Sequence, residues 1–188
     1  MVVIVLMGVC GSGKTTVAEK LATKLQCSFK DADDFHTVEN KKKMSSGIPL
    51  TDQDRIPWLF AIHDYIKSLI QASQTGVVTC SALRQIYRNI LVEGNGAITT
   101  PSTIIEASQV PSKTEDILFV YLKGAKEVIR ERLLNRLDHF MSPTLLDSQL
   151  ETLEEPCEPE RYFMVNVDKS VEEIVDSILK FSSLCHLV

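Results

Sequence analysis

A glycine-rich stretch close to the amino terminus combines the residue types that bind phosphate. Its residues are Gly8, Val9, Cys10, Gly11, Ser12, Gly13, Lys14 and Thr15. They match the pattern G-x-x-x-x-G-K-[ST], in which backbone N–H groups form an anion-binding nest and the lysine adds a positive charge. A helix predicted from about Lys14, with Thr16 in its first turn, points the positive end of its dipole at the same phosphates. The stretch predicts a P-loop that binds a nucleoside triphosphate; a glycine turn with a chance lysine is the competing interpretation.

An acidic cluster follows the second predicted strand. Asp31, Asp33 and Asp34 come directly after 28–30, and the carboxyl end of a parallel strand faces the ligand crevice. Asp33 is the candidate to accept a hydrogen bond and the proton from an attacking hydroxyl, a role worth ~10²–10⁴ in rate. Thr15 and Asp31 are the candidate Mg²⁺ ligands, Asp31 through water, because Mg²⁺ retains part of its hydration shell. The alternative is a solvated acidic turn.

Alternating strand and helix patterns must position these two segments. A continuous apolar run predicts a strand at 2–7, and further strands are predicted at 28–30, 77–80, 117–122 and 162–167. A short helix that ends before Gly47 and Pro49 is predicted at 40–46. The other helices are predicted at 15–26, from 52 or 54 to about 73, from 81, and at 126–137, 145–153 and 170–182. Pro57 is expected in the first turn of the third helix and Trp58 in the core, while 94–116 predicts a surface excursion. The alternation indicates an α/β fold, with helices on both faces of a parallel sheet.

The composition limits the class and location of the protein. With 188 residues, 44% of them hydrophobic, the chain is long enough for a single domain with one core. Its net charge of −5 argues against nucleic acid or a membrane surface as the main partner, because both require a basic field. The five cysteines show no C-x-x-C spacing, and the apolar runs are too short to span a bilayer. These features predict a reduced, cytoplasmic protein; a redox-sensitive Cys10 is the open alternative to a cysteine that simply fits the loop.

Six blocks follow one another within about 3–168: GVCGSGKT, DADDFH, GIPLTDQDRIPWL, CSALRQIYR, RLLNRLDHF and QLETLE. Their order and spacing resemble those of the gluconokinases, relatives of shikimate kinase and the nucleoside monophosphate kinases. The resemblance implies a three-layer P-loop kinase fold with a five-stranded parallel sheet and a mobile lid at about 130–142. It also implies ATP-dependent phosphorylation of D-gluconate at its 6-hydroxyl, giving 6-phospho-D-gluconate. A homodimer is suggested as well, although no pattern in the sequence demonstrates one.

Two arginines are candidates for binding the substrate carboxylate that the resemblance implies. A planar guanidinium can bind a carboxylate bidentately. Arg55 stands in the DQDRIPWL block and Arg88 follows the third predicted strand, so both are expected to face the crevice. Which of them binds the carboxylate is open, and each has the alternative of pairing with Asp52 or Asp54. Lys43 is a weaker contributor, because it belongs to a run of three lysines.

The segment predicted as a lid carries two further arginines and a histidine. Arg132 and Arg136 are four residues apart and share a helix face. By resemblance, one lies over the adenine or the phosphates and the other contacts the transferring group; a solvated helix face is the alternative. His139 is a candidate substrate contact or a polar hinge residue. In the gluconokinases that the sequence resembles, a glycine commonly precedes this histidine, whereas Asp138 stands here; this departure leaves the conformation and electrostatics of the predicted lid open.

Two other classes of function share the P-loop. Shikimate, adenylylsulfate and nucleoside monophosphate kinases are the nearest enzymes, and the DQDRIPWL block argues against them. A non-catalytic regulator that binds nucleotide would carry switch motifs, but the sequence contains no D-x-x-G, and Asn40-Lys41-Lys42 is followed by Lys43 and not by aspartate. The sequence therefore favours a kinase that acts on gluconate with ATP and Mg²⁺.

Overall fold

Five strands form one parallel sheet in the computed structural model, which describes residues 1–99, 116–135 and 144–184. The strands are Val3–Met7 (β1), Ser28–Asp31 (β2), Gly76–Thr79 (β3), Ile117–Lys123 (β4) and Tyr162–Asn166 (β5). Their order across the sheet is β2-β3-β1-β4-β5, and each neighbouring pair is parallel. The predicted five-stranded parallel sheet is confirmed.

Helices connect the strands. In the described ranges they are Lys14–Leu25 (α1), Val38–Ser45 (α2), Asp52–Gln71 (α3), Gln85–Glu93 (α4), Gly96–Thr99 (α5), Lys126–Leu134 (α6), Thr144–Thr152 (α7) and Val171–Leu184 (α8). A short 3-10 helix, Ala32–Phe35, follows β2 directly. None of these helices is long and apolar enough to cross a membrane.

Local chemistry determines where two of these helices begin. α3 starts directly after Thr51, because Thr51 and Asp54 form a capping box in which each side chain accepts a hydrogen bond from the other residue's backbone N–H. Pro57 therefore lies in the second turn and not in the first. α4 begins at Gln85, four residues later than expected, because Ala82 has a left-handed backbone conformation (φ 45°) that a right-handed helix excludes.

The central strand divides the core into two layers. In β1, Val3, Val5 and Met7 face one side and pack with residues of α3 and α4. Ile4 and Leu6 face the other side and pack with residues of α1 and α8. Each of these side chains is fully buried, which stabilises the fold by roughly 1.5–3 kcal/mol per residue. The expected helices on both faces are confirmed.

The strand order brings three strand ends together at one edge of the sheet. The carboxyl ends of β1, β3 and β2 are neighbours, because these strands are adjacent and parallel. The N–H of Gly8, after β1, donates to the carbonyl of Ser81, after β3, at 3.2 Å. The loop after β1 and the acidic segment after β2 therefore flank the end of β3. Of the lid expected at about 130–142, only 130–135 falls within the described residues.

Candidate active site

The phosphate loop depends on glycines at two positions. Gly13 precedes α1 with φ +92°, and a Cβ built on it would meet no atom within 4 Å, so the space before the helix is open. Gly11 has φ +77°, and a Cβ there would come within 2.7 Å of Leu133 in α6. Both conformations favour glycine. The loop thus leaves room for an anion at the start of α1 and allows α6 to pack closely behind it.

Lys14 folds back over this loop. Its Nζ donates to the carbonyls of Gly8 at 3.0 Å and Val9 at 2.9 Å. Burial lowers the pKa of the Lys14 amine, and the negative charge of Asp33 opposes that shift. Carbonyl dipoles neutralise an ammonium less well than a phosphate does. The amine is therefore placed where a bound phosphate would compete for it.

Thr15 and Asp31 meet at the start of α1. The Thr15 hydroxyl donates to the Asp31 carboxylate at 3.0 Å, and the other Asp31 oxygen accepts from the N–H of Asp33 at 3.0 Å. A hydroxyl and one carboxylate are a donor set that suits Mg²⁺, which prefers oxygen ligands and keeps several waters. No cluster of three or more acidic, histidine or cysteine side chains suited to a metal occurs in the described ranges. A metal here would be coordinated largely by phosphate and water.

One cavity extends from the phosphate loop to residues of α3 and α7. Residues after β1, β2 and β3, on α3 and on α7 line it, among them Lys14, Thr15, Asp31, Asp33, His36, Arg55, Trp58, Thr79, Leu145, Ser148 and Gln149. Asp33 lies in this cavity together with Lys14. Burial, reinforced by the charge of Asp31, raises the pKa of Asp33, while Lys14 opposes the shift. A carboxylate with a raised pKa beside a phosphate-binding lysine is suited to accept a proton.

Arg55, on α3, lines the same cavity. Its guanidinium lies 5.6 Å from the centre of the Tyr87 ring, and it forms no ion pair with any described residue. The alternative partners are already engaged: Asp54 pairs with Lys43 at 2.8 Å, and Asp52 pairs with Arg84 at 2.7 Å. Arg55 is therefore a half-buried cation in the cavity that is not paired with any carboxylate in the part of the chain that the structure describes.

Arg88 does not face the cavity, so this expectation is wrong. Its side chain is 1% exposed and forms a two-bond pair with Glu160, with N–O distances of 2.5 and 3.0 Å. Another nitrogen donates to the carbonyls of Ala82 and Glu154. The guanidinium holds the turn after β3 to the loop before β5. The sequence shows that an arginine follows a strand, but it does not show that this arginine forms an ion pair with a glutamate 72 residues later.

Of the two arginines predicted to lie in the lid, only Arg132 is among the described residues. The Arg132 guanidinium donates to the carbonyl of Val167, just after β5, at 2.6 Å. Arg132 thus lies next to the segment that follows β5. Arg136 and His139 lie outside the described residues. Their assigned roles stay predictions.

Sequence reasoning gave no role to the wall that α7 contributes. The N–H of Cys10, in the phosphate loop, donates to the side-chain oxygen of Gln149 at 2.7 Å. Ser148 and Leu145 line the cavity beside it. The only signal was that Gln149 opens the QLETLE block, which indicates importance without indicating a contact. α7 therefore reaches the phosphate loop directly.

Comparisons with known proteins agree with this geometry. The shikimate kinase family model matches residues 10–182. A probable gluconokinase of Xenopus tropicalis is 47% identical over 94% of this chain and 90% of its own. Among solved structures, a sugar kinase of Janibacter is 36% identical, with a TM-score of 0.81 over 96% of this chain and 93% of its own. A gluconokinase of Sinorhizobium meliloti is 38% identical, with a TM-score of 0.75 over 95% and 90%. The chain therefore belongs to the gluconokinases of the shikimate kinase family.

Proposed function

We propose that this protein transfers the γ-phosphoryl group of ATP to D-gluconate, giving 6-phospho-D-gluconate. The observation that carries the proposal is Arg55, whose guanidinium lines the same cavity as Lys14 and Asp33 and forms no ion pair within the described ranges. A substrate with a carboxylate at one end and a hydroxyl at the other can pair with Arg55 and still reach Asp33. Relatives and solved structures that are named gluconokinases support the same choice.

In the proposed reaction the 6-hydroxyl attacks the γ-phosphorus and ADP leaves. Asp33 accepts the proton of that hydroxyl, and its raised pKa suits this role. Lys14 and the N–H groups of the loop, Gly8 to Thr16, bind the phosphates and stabilise the charge that spreads over them. Thr15 and Asp31 would hold Mg²⁺, which neutralises phosphate charge when it is bound.

The remaining roles concern the lid. We assign Arg132 to nucleotide binding, because it lies against the segment after β5. By resemblance, Arg136 contacts the transferring phosphoryl group and His139 contacts the substrate. A single domain, a cytoplasmic location and a homodimer stay predictions of the sequence.

A coupled assay of ADP release tests the function. The acceptors are gluconate, glucose, shikimate and nucleoside monophosphates, each with ATP and Mg²⁺. We expect turnover with gluconate and none with glucose, because glucose lacks the carboxylate that Arg55 binds. The product should carry its phosphate on the carbon furthest from the carboxylate, which phosphorus NMR with proton coupling can show. Equal turnover of gluconate and glucose, or a clear preference for another acceptor, would contradict the proposal.

A further inference from the structure

The cavity contains a histidine that the proposed mechanism does not use. His36 follows the 3-10 helix after β2, and its side chain is only 4% exposed. The imidazole stacks on Trp58, with ring centres 4.3 Å apart and planes inclined by 11°. Trp58 is itself held in place, because its indole N–H donates to the carbonyl of Ala32 at 2.7 Å. The His36 ring therefore has a fixed orientation in the cavity wall.

This ring has an unsatisfied hydrogen-bonding atom. In the described ranges four buried side-chain polar atoms lack a hydrogen-bond partner, and two of them, Nδ1 of His36 and Oγ1 of Thr79, belong to residues that line the cavity. Nε2 of His36 is 3.8 Å from a carboxylate oxygen of Asp33, which is too long for a hydrogen bond. Buried polar atoms without partners are rare in folded proteins. Two such atoms, both on residues of one cavity wall, point to hydrogen bonds that a bound ligand completes.

The charge of the imidazole limits which chemical group of a substrate it can bind. Burial, with help from the charges of Lys41 and Arg55, lowers the pKa of His36 to about 4. At neutral pH the ring is uncharged and offers one donor and one acceptor. A hydroxyl matches that pair because it also donates and accepts, whereas a carboxylate only accepts. A carboxylate oxygen of Asp33 lies 3.8 Å from Nε2 of the ring, and Arg55 lines the same cavity. Asp33 and Arg55 are the groups assigned to the two ends of the substrate.

We propose that His36, through Nδ1, binds a hydroxyl in the middle of the polyhydroxy-acid chain, with Thr79 as a second polar contact. The pair thereby selects substrates that carry a hydroxyl at one particular carbon. This assignment rests on the proposed function, because it takes the ends of the substrate to lie at Asp33 and Arg55. It deepens that function by placing a determinant of specificity between the two ends.

The test combines three variants of His36 with a set of substrates. His36→Phe keeps a ring that stacks on Trp58 but removes both nitrogens. His36→Asn places an amide nitrogen near the position of Nδ1, and His36→Gln places one near Nε2. The substrates are gluconate and its 2-, 3-, 4- and 5-deoxy analogues. His63→Phe is the control, because His63 contacts the carbonyl of Leu91 and does not line the cavity.

We expect His36→Phe to lower kcat/KM for gluconate by about 10- to 100-fold, because a site built to bind a hydroxyl loses that contact. The KM for ATP should stay unchanged and the melting temperature should not fall, since the stack is kept and an unpaired buried nitrogen is removed. His36→Asn should recover more activity than His36→Gln. One deoxy analogue should be a poor substrate for the parent enzyme and suffer no further loss in His36→Phe.

The outcomes separate this inference from the function it rests on. If the parent enzyme does not phosphorylate gluconate, the proposed function fails and the His36 assignment falls with it. If the parent does so and His36→Phe is equally active, only the assignment is overturned. Equal losses on every deoxy analogue, or equal recovery by Asn and Gln, would also overturn it. A His36→Phe protein that does not fold leaves the Asn and Gln pair to decide.

Discussion

The two ends of the cavity, one at the phosphate loop and one at the proposed substrate site, differ in how their residues are arranged along the sequence. The phosphate end is one unbroken stretch between β1 and α1, in which each residue's role follows from its place in the motif. The substrate end combines residues that follow β2 and β3 with residues on α3 and α7. Its chemistry depends on which side chains are already paired inside the fold. Residue type is therefore a good guide at the first end and a poor one at the second.

Arg55 and Arg88 show what this difference means. Both were candidates for the same carboxylate. Arg88 is buried against Glu160 and two carbonyls, whereas Arg55 has no ion-pair partner in the described ranges. An arginine whose donors are occupied stabilises the fold, and one whose donors are free can bind a ligand. The variants below test this contrast, from the largest expected effect to the smallest.

Lys14→Met should affect the phosphate end most strongly. We expect kcat/KM to fall by ~10³-fold or more, because a positioned donor to the developing phosphate charge is removed. The melting temperature without nucleotide should stay close to the parent's, since the amine donates to two loop carbonyls and forms no ion pair with a described residue. Steady-state kinetics and calorimetry measure the two quantities.

Lys24→Met is the matched control for this variant. Lys24 lies on the same helix and pairs with Asp176 on the surface, so its loss should change activity less than two-fold. Substantial activity in Lys14→Met would show that the loop does not participate in phosphoryl transfer, and the phosphate end of the cavity would then be wrongly assigned.

Arg88→Met should destabilise the fold without a direct effect on substrate binding. Removing one partner of a buried pair leaves the Glu160 charge uncompensated, which costs about 3–5 kcal/mol of unfolding free energy. Arg55→Met leaves no described carboxylate unpaired, so its unfolding free energy should stay within about 0.5 kcal/mol of the parent's. Urea denaturation of both variants provides the comparison.

The double variant Arg88→Met with Glu160→Met sharpens the result. It removes both charges together, so it should recover part of the lost stability. If Arg88→Met were as stable as the parent and instead raised the KM for gluconate, the assignment of Arg88 to the fold would be wrong.

Asp33→Asn tests the point where the two ends meet. We expect kcat to fall by ~10²-fold or more with ATP affinity nearly unchanged, because the proton acceptor is lost while the phosphate loop stays intact. A loss of ATP binding alone would assign Asp33 to the metal instead. Presteady-state transfer and nucleotide titration separate the two outcomes.

The pH dependence gives a second measurement on Asp33. Because the pKa of Asp33 is raised, kcat/KM of the parent should fall as the pH drops through that pKa, and Asp33→Asn should lack this decrease. The stability effect has the opposite sign. A raised pKa contributes stability at low pH that is lost as the pH rises through it, so the uncharged variant should melt no lower than the parent at neutral pH.

The fold and the phosphate end could be predicted because their signals are local. The apolar runs of β1 and β4 identify buried strands, and the order of Gly11, Gly13 and Lys14 identifies the loop. Thr15 and Asp31 were expected to act together, and they lie 3.0 Å apart. Each of these conclusions needs only neighbouring residues and the rule that parallel strand ends share an edge.

The substrate end could not be predicted to the same depth, because its arrangement depends on long-range pairing. Glu160 forms an ion pair with Arg88, 72 residues away in the sequence, and Gln149 accepts a hydrogen bond from Cys10, 139 residues away. Contacts at such separations leave no periodicity or motif spacing in the sequence. The role of His36 depends on its stacking with Trp58, which the helical pattern assigned only to the core. Such contacts follow from tertiary packing, not from residue order.

Arg55→Lys is the smallest and most specific change. A lysine keeps the charge but loses the planar fork, so the KM for gluconate should rise by about 10-fold. Arg55→Ala leaves a bound carboxylate unpaired, so the binding free energy of gluconate should weaken by ~2–5 kcal/mol. Arg84→Lys is the control, because the Arg84 guanidinium also lies 5.6 Å from the centre of the Tyr87 ring but is paired with Asp52. The KM values for gluconate and for ATP should therefore stay unchanged in Arg84→Lys. Proportionate losses for both substrates with early melting in the Arg55 variants would instead make Arg55 part of the fold, like Arg88.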